Sequence, residues 1–112
     1  MKGTDRYHIA DVGCIFAGEP RRVNNLSVGG LFVETEIPPE SGLVVSLQLN
    51  LPGGAEIPAV GRVAWVNHPT TRRCGWLPPG FGFQLQRISF TDKMAILACL
   101  RSAHPSALRK PN

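Results

Sequence analysis

The sequence predicts a mostly β fold, in which six antiparallel strands close into a small barrel and a C-terminal α-helix follows. Glycine and proline are abundant, with 12 and 10 among 112 residues, and this favours short strands and turns over a helical bundle. Several segments alternate apolar and polar residues, whereas residues 94–100 are apolar almost throughout. Because a closed barrel leaves no exposed sheet edge, it is the most economical arrangement of six strands with one apolar face.

The first three predicted strands are short. They cover residues 9–17, 21–26 and 31–35, and a Gly-Glu-Pro turn separates the first two. The alternation within residues 9–17 is imperfect, which is typical of a strand that contains a β-bulge. The third strand ends before Pro38 and Pro39, because proline cannot continue a hydrogen-bonded ladder.

The last three predicted strands cover residues 43–51, 57–66 and 81–88. Alternation is clearest in the first of them, whose apolar face comprises Val45, Leu47, Leu49 and Leu51. In the second, Val63 and Trp65 are expected to share a face because they are two residues apart. A Pro-Gly-Gly turn joins these two strands, and a loop rich in proline and glycine leads to the last one.

One helix is predicted after the last strand and is expected to cover an open end of the barrel. Thr91 is its expected N-cap, residues 94–100 form a buried body, and Pro105 ends it. Residues 1–104 then form one domain with a single core. Residues 1–8 are expected to be a flexible N-terminal arm, and residues 105–112 a C-terminal tail.

The composition argues against several functional classes. No apolar run approaches the roughly 20 residues that span a bilayer, and no signal peptide is evident, so a cytoplasmic protein without membrane insertion is expected. Cys14, Cys74 and Cys99 form no C-x-x-C pair, which argues against disulfides and a zinc site. No nucleophile–base pair or paired carboxylates stand at workable spacing, so no enzymatic activity is expected. The net charge of +4 permits an anionic partner, but the basic residues are too dispersed for nucleic-acid binding.

Residues 25–30 are the most informative stretch of the chain. Asn25, Ser27 and Gly30 combine compact polar groups with a flexible backbone just before a strand. The local pattern alone leaves two interpretations open, a plain turn between strands or a place where a flat ligand approaches the main chain. Upstream, Lys2 and Arg6 are either cations that flank an anionic, planar ligand or part of a solvated terminus.

Together these segments resemble the PilZ domain family. Residues 25–30 read N-x-S-x-x-G and fit the family signature [D/N]-x-S-x-x-G at every position. The segments GRVAWV at residues 61–66 and GFGFQ at residues 80–84 are also similar to the family. The resemblance covers roughly residues 2–102 and is strongest to compact, single-domain members.

The resemblance implies a bacterial receptor for cyclic di-GMP, a second messenger with two guanines and two phosphates. Such a receptor transmits the signal to a protein partner in motility, pilus, envelope or exopolysaccharide systems, and no cofactor besides this ligand is expected. In the family, an R-x-x-x-R segment binds guanine and phosphate, while the second motif contacts a guanine and its glycine lets the base lie close to the barrel. These roles fall on Lys2, Arg6, Asn25, Ser27 and Gly30. Additional candidates are Arg21, Arg22 and Trp76.

Lys2 departs from the family pattern, because lysine is a point charge without the planar fork of arginine. Other arginines of the chain could supply the missing guanidinium group, namely Arg21, Arg22, Arg72 or Arg73. The resemblance therefore leaves an alternative, a nucleotide-independent adaptor in type IV pilus or motility machinery. The candidate partner surface for such an adaptor is the apolar loop Trp76–Pro79. Trp76 itself is expected to pack on the barrel rim, and the alternative is that it stacks on a base.

Overall fold

A computed structural model of the protein describes residues 11–102. In chain order the elements are β1 Gly13–Phe16, β2 Glu19–Leu26, β3 Gly30–Glu34, β4 Val44–Asn50, β5 Glu56–Asn67, β6 Gly80–Arg87 and α1 Phe90–Ser102. The strands pair antiparallel and form a closed barrel in the order β1-β2-β3-β6-β5-β4. The predicted fold class is therefore confirmed. The predicted arm, the first two residues of the predicted first strand and the predicted tail lie outside the described residues.

The core fills the barrel and is built from alternate residues of its strands. As predicted, Leu47 and Leu49 of β4 and Phe81 and Phe83 of β6 are buried there. Cys14 of β1 is buried with them, and this burial raises the pKa of its thiol to about 12. Cys14 therefore stays protonated at neutral pH and serves as a small core residue.

Strand β5 carries a bulge that the alternation of its sequence does not reveal. Its register against β6 shifts between Val63, which pairs with Phe83, and Trp65, which pairs with Gly82. Because Ala64 is the extra residue, Val63 lies in the core and Trp65 lies on the outer surface. The prediction that Val63 and Trp65 share a face is wrong for this reason.

Helix α1 begins earlier than predicted. The N–H of Asp92 donates a hydrogen bond to Ser89 Oγ at 3.0 Å, so the N-cap is Ser89, and the prediction of Thr91 is wrong. The helix is also less buried than predicted. Ile96 is buried in the core, but Phe90 and Met94 are exposed, so only one side of α1 packs against the barrel.

The antiparallel order places three features at one end of the barrel. These are the start of β1, the turn between β2 and β3, and the end of β6 from which α1 follows. The turn with the N-x-S-x-x-G motif therefore lies at the end where the described chain enters the barrel. Within residues 11–102, no helix has the length and apolar character needed to cross a membrane.

Candidate ligand-binding site

The turn between β2 and β3 is held from inside by Ser27, whose side chain is only 1% exposed. Its Oγ accepts hydrogen bonds from the N–H groups of Gly29 and Gly30, each at 3.2 Å, and donates to the Gly30 carbonyl at 3.3 Å. The N–H of Leu85 donates to the Gly29 carbonyl at 2.9 Å and ties the turn to β6. Ser27 is therefore a positioning residue that fixes the backbone of the turn.

Replacing Ser27 by alanine leaves the two N–H groups at Gly29 and Gly30 without their acceptor. We expect the free energy of unfolding to fall by about 1–2 kcal/mol, measured by chemical denaturation. Ser41→Ala, an exposed serine in the turn before β4, is the matched control and should change stability by less than about 0.5 kcal/mol. Equal stability of the two variants would contradict the positioning role of Ser27.

Gly30 has a reason within the fold to be glycine. It is buried and lies opposite Gln84, and a Cβ atom at this position would overlap the backbone carbonyl oxygen of Phe83. The missing side chain therefore lets β3 approach β6 closely. The family role of this glycine, which is to let a base lie near the barrel wall, stays a prediction.

A depression of about 320 Å³ lies beside this turn on the outer surface of the barrel. Its lining comprises Ser27, Gly29, Ala64, Trp65, Gly82, Phe83 and Gln84. The Trp65 ring occupies the space that a side chain at position 82 would need, so Gly82 allows the indole to approach β6 closely. Small-molecule sites span about 300–1,000 Å³, and a depression at the lower limit suits one planar ring system better than a whole dinucleotide.

Aromatic and cationic side chains surround this depression. The Trp65 ring lies 5.5 Å from the Phe32 ring, between centroids, and the Arg73 guanidinium carbon lies 5.4 Å from the Trp65 centroid. Arg62 is exposed and lies opposite Gln84 in the β5–β6 register. The surface therefore combines a stacking platform with positive charge, which suits a ligand that has aromatic rings and phosphates.

The structure brings part of the predicted site together. Asn25 lies near the end of β2, Ser27 in the turn and Gly30 at the start of β3. Asn25 is half-buried at the irregularity that separates Val23 from Leu26 in the β2–β3 pairing. Lys2 and Arg6 lie outside the described residues, so their ligand roles stay predictions.

The two arginines of β2 lie on different faces of the sheet. Arg22 is on the outer surface, where its Nε lies 4.0 Å from the carboxylate of Glu34. Arg21 lies opposite the buried Cys14, so it is on the inner face, and its Nε is buried with no hydrogen-bond partner among residues 11–102. Arg22 therefore shares the outer face of the barrel with the depression, but it lies beside Glu34, at the end of β3 away from the turn. Arg21 lies on the inner face.

Asn67 organises the loop between β5 and β6. Its side chain is fully buried at the end of β5, where Oδ1 accepts a hydrogen bond from the N–H of Cys74 at 2.8 Å. Its Nδ2 donates to the carbonyls of Cys74, Leu77 and Pro78 at 3.0, 3.2 and 3.0 Å. One amide therefore holds residues 74–78 at the end of β5, and this segment directly follows Arg73.

Trp76 projects from this loop. The Arg72 guanidinium donates hydrogen bonds to the carbonyls of Gly75 and Leu77, so the residues on both sides of Trp76 are held. The Trp76 side chain is 88% exposed. The expectation that it packs on the barrel rim is wrong, because the loop is fixed by Asn67 and Arg72 and does not need the indole as an anchor.

Sequence reasoning missed Trp65, Gln84 and Asn67 as contributors to this site. For Trp65 a signal existed in the GRVAWV segment, but its outward direction depends on the bulge. For Asn67 the signal was an amide at a strand end before a loop rich in proline and glycine.

The part of the chain that the structure describes contains no group of three or more His, Cys, Asp or Glu side chains that could hold a metal ion. A family model described as PilZ domain matches residues 7–102 of the sequence. No curated protein matches the chain.

Proposed function

This chain belongs to the PilZ domain family, a family of cyclic di-GMP-binding effector domains, and on that premise we propose that it is a receptor for cyclic di-GMP that signals to a protein partner. Domains of this family are binding or adaptor domains and not enzymes. The observation that carries the proposal is the complete N-x-S-x-x-G turn, which lies directly beside a depression with an aromatic wall. Neither feature alone would indicate a nucleotide.

One guanine is proposed to occupy the depression. The Trp65 indole offers a surface for stacking, and base–aromatic stacking contributes about 1–3 kcal/mol per base. The exposed Gln84 amide lies at the same place and can both donate to and accept from a guanine edge. Asn25 is proposed to contact the base from the turn, as the family signature implies.

The phosphates are proposed to lie on the outer surface near Arg73, with the N-terminal segment completing the site. Arg73 is held beside Trp65, so its charge is close to any base stacked there. Arg6 precedes Asp11 by five residues, and a segment of that length reaches at most about 18 Å. Because the chain enters the barrel at the end that carries the turn, this reach supports a role for Arg6 and Lys2 in covering the ligand.

We expect saturable binding of cyclic di-GMP to the full chain by isothermal titration calorimetry, with GTP as the nucleotide control. Arg6→Ala and Arg73→Ala should each weaken binding about tenfold or more, because each removes a charge-assisted contact. Arg87→Ala changes an exposed arginine at the end of β6 that does not line the depression, so it removes the same charge and should leave the affinity unchanged. Lys2→Arg should tighten binding by supplying a bidentate donor. Equal affinities for Arg6→Ala, Arg73→Ala and Arg87→Ala would rule out this site.

A nucleotide-independent adaptor is the second candidate function, and the exposure of Trp76 favours it. A large aromatic side chain on a fixed loop is a common anchor of protein interfaces, since little entropy is lost when it is buried. No heat on titration with cyclic di-GMP, together with unchanged amide chemical shifts, would assign the domain to this function. Trp76→Ala should then abolish partner binding without changing stability.

A further inference from the structure

We propose that the free edge of β4 is a docking site for an extended, uncharged apolar segment of a partner protein, which adds a strand at the seam between β1 and β4. This surface is distinct from the depression beside the N-x-S-x-x-G turn. The proposal concerns how the domain binds a protein, and it does not depend on nucleotide binding.

The seam is only partly closed. Strand β1 pairs with β4 at three positions and ends its pairing at Ile15, which lies opposite Gln48. The chain then turns away into β2 through Ala17 and Gly18, which both have positive φ angles, 55° and 78°. Strand β4 continues from Gln48 back to Val44 with no neighbour on this side among the strands that the structure describes.

Backbone groups of β4 point into this gap. Along an antiparallel strand, successive residues direct their N–H and C=O groups to opposite neighbours. Leu43 directs its carbonyl to β5, where it accepts a hydrogen bond from Val63 N–H at 2.8 Å, so Val45 and Leu47 also face β5. Val44 and Ser46 therefore direct their N–H and C=O groups away from β5, toward the seam.

A groove of about 750 Å³ follows this edge. Its lining comes from the end of β1, the first half of β4 and residues 58–60 of β5, and it contains no charged side chain. Val44 is 59% exposed and Ile15 38% exposed, and the core-facing Phe16 and Val45 are only half-buried. An added strand would cover apolar groups on both of its faces while it satisfies the row of backbone donors and acceptors.

The geometry favours a single extended segment over a second copy of this chain. The free edge is short, and it ends where β1 begins to pair at Ile15. In a second copy, the matching β4 edge is covered by its own β1 at the same point, so two barrels that pair in register would collide there. A separate extended segment carries no neighbouring β1 strand, so it can pair with the edge without this collision. Because the lining of the groove is uncharged, it favours a segment with small apolar or uncharged side chains.

Amide hydrogen exchange of the full chain, followed by NMR, tests whether the edge is free. Val44 and Ser46 should exchange fast, and Val45 and Leu47 should exchange slowly, because only the latter pair donates to β5. Slow exchange at Val44 and Ser46 in the chain alone would overturn the proposal, since another part of the chain would then occupy the edge.

The docking test uses a capped seven-residue peptide of alternating threonine and valine as the probe. Its titration should shift the amide signals of Val44 and Ser46 and slow their exchange. Ser46→Pro removes a seam-facing N–H and should weaken binding about fivefold or more, whereas Ser46→Ala keeps the N–H and should bind as the parent chain does. A second test does not depend on the folding of Ser46→Pro. The same peptide, N-methylated at alternate residues, lacks the N–H donors that pair with β4 and should not bind the parent chain.

Three results would overturn the docking proposal. The first is the absence of any shift along residues 44–47, and the second is equal binding by Ser46→Pro and Ser46→Ala. The third is a concentration-dependent shift of these amides without peptide, together with a dimer by sedimentation, which would assign the edge to a second copy.

Discussion

Gly30→Ala is expected to lower the free energy of unfolding by about 3 kcal/mol or more. The added Cβ atom would overlap the carbonyl oxygen of Phe83, which belongs to the backbone of β6 and cannot move aside as a flexible side chain can. The β3–β6 pairing must therefore open locally, and it is this pairing that holds the N-x-S-x-x-G turn against the barrel. Chemical denaturation of the variant and the parent chain measures the difference.

Gly75→Ala is the control for the general effect of a methyl group. A Cβ atom at Gly75 would meet no other atom within 4 Å, so this variant should stay within about 0.5 kcal/mol of the parent. If Gly30→Ala were as stable as Gly75→Ala, the close approach of β3 to β6 would not be the reason for glycine at position 30. The role of Gly30 would then have to come from a ligand.

Asn67→Ala should have the second large effect, a decrease of about 2–4 kcal/mol in the free energy of unfolding. The substitution removes four hydrogen bonds and leaves a void at a fully buried position, and the loop groups that lose their partner lie partly out of reach of water. We expect fast amide exchange across residues 68–79 and thermal unfolding at a lower temperature. If the nucleotide binds as proposed, its affinity should fall as well, because Arg73 loses its fixed position.

Thr70→Ala is the control that tests whether any substitution in this loop destabilises the protein as Asn67→Ala does. Thr70 is exposed, and its hydroxyl contacts only the exposed His68 ring among the described hydrogen bonds. Its removal should leave both stability and exchange of the loop nearly unchanged. If Asn67→Ala and Thr70→Ala lost similar amounts of stability, the Asn67 amide would not be what organises the loop.

The barrel was predictable because its strands follow local rules. The alternation of β4 and β6 identifies their inner faces, and the glycine- and proline-rich segments mark where the strands end. The N-x-S-x-x-G turn was predictable from residue types at fixed spacing. Such patterns are properties of short segments, and a single sequence displays them directly.

The features that were missed depend on partners distant in sequence. Trp65 lies outside because β5 has one residue more than β6 at the bulge, and that count is visible only when both strands are aligned. The N-cap of α1 is different, because its signal is local. Serine is preferred over threonine at this position, and with Ser89 as the N-cap the acidic Asp92 falls in the first turn of the helix. The depression itself joins a β2–β3 turn to residues of β5 and β6, which no local pattern brings together.

The short pairing between β1 and β4 also bears on the order in which the barrel assembles. The β4–β5 hairpin joins neighbouring residues across a tight turn, and it pairs over the whole length of β4. Closing the ring instead joins Gly13 to Asn50, which are far apart in sequence, through only three residue pairs. This step therefore has a larger entropic cost of loop closure than the hairpin, and it forms fewer backbone hydrogen bonds. Ring closure is therefore expected to be a late folding step, and the seam the first part of the barrel to reopen.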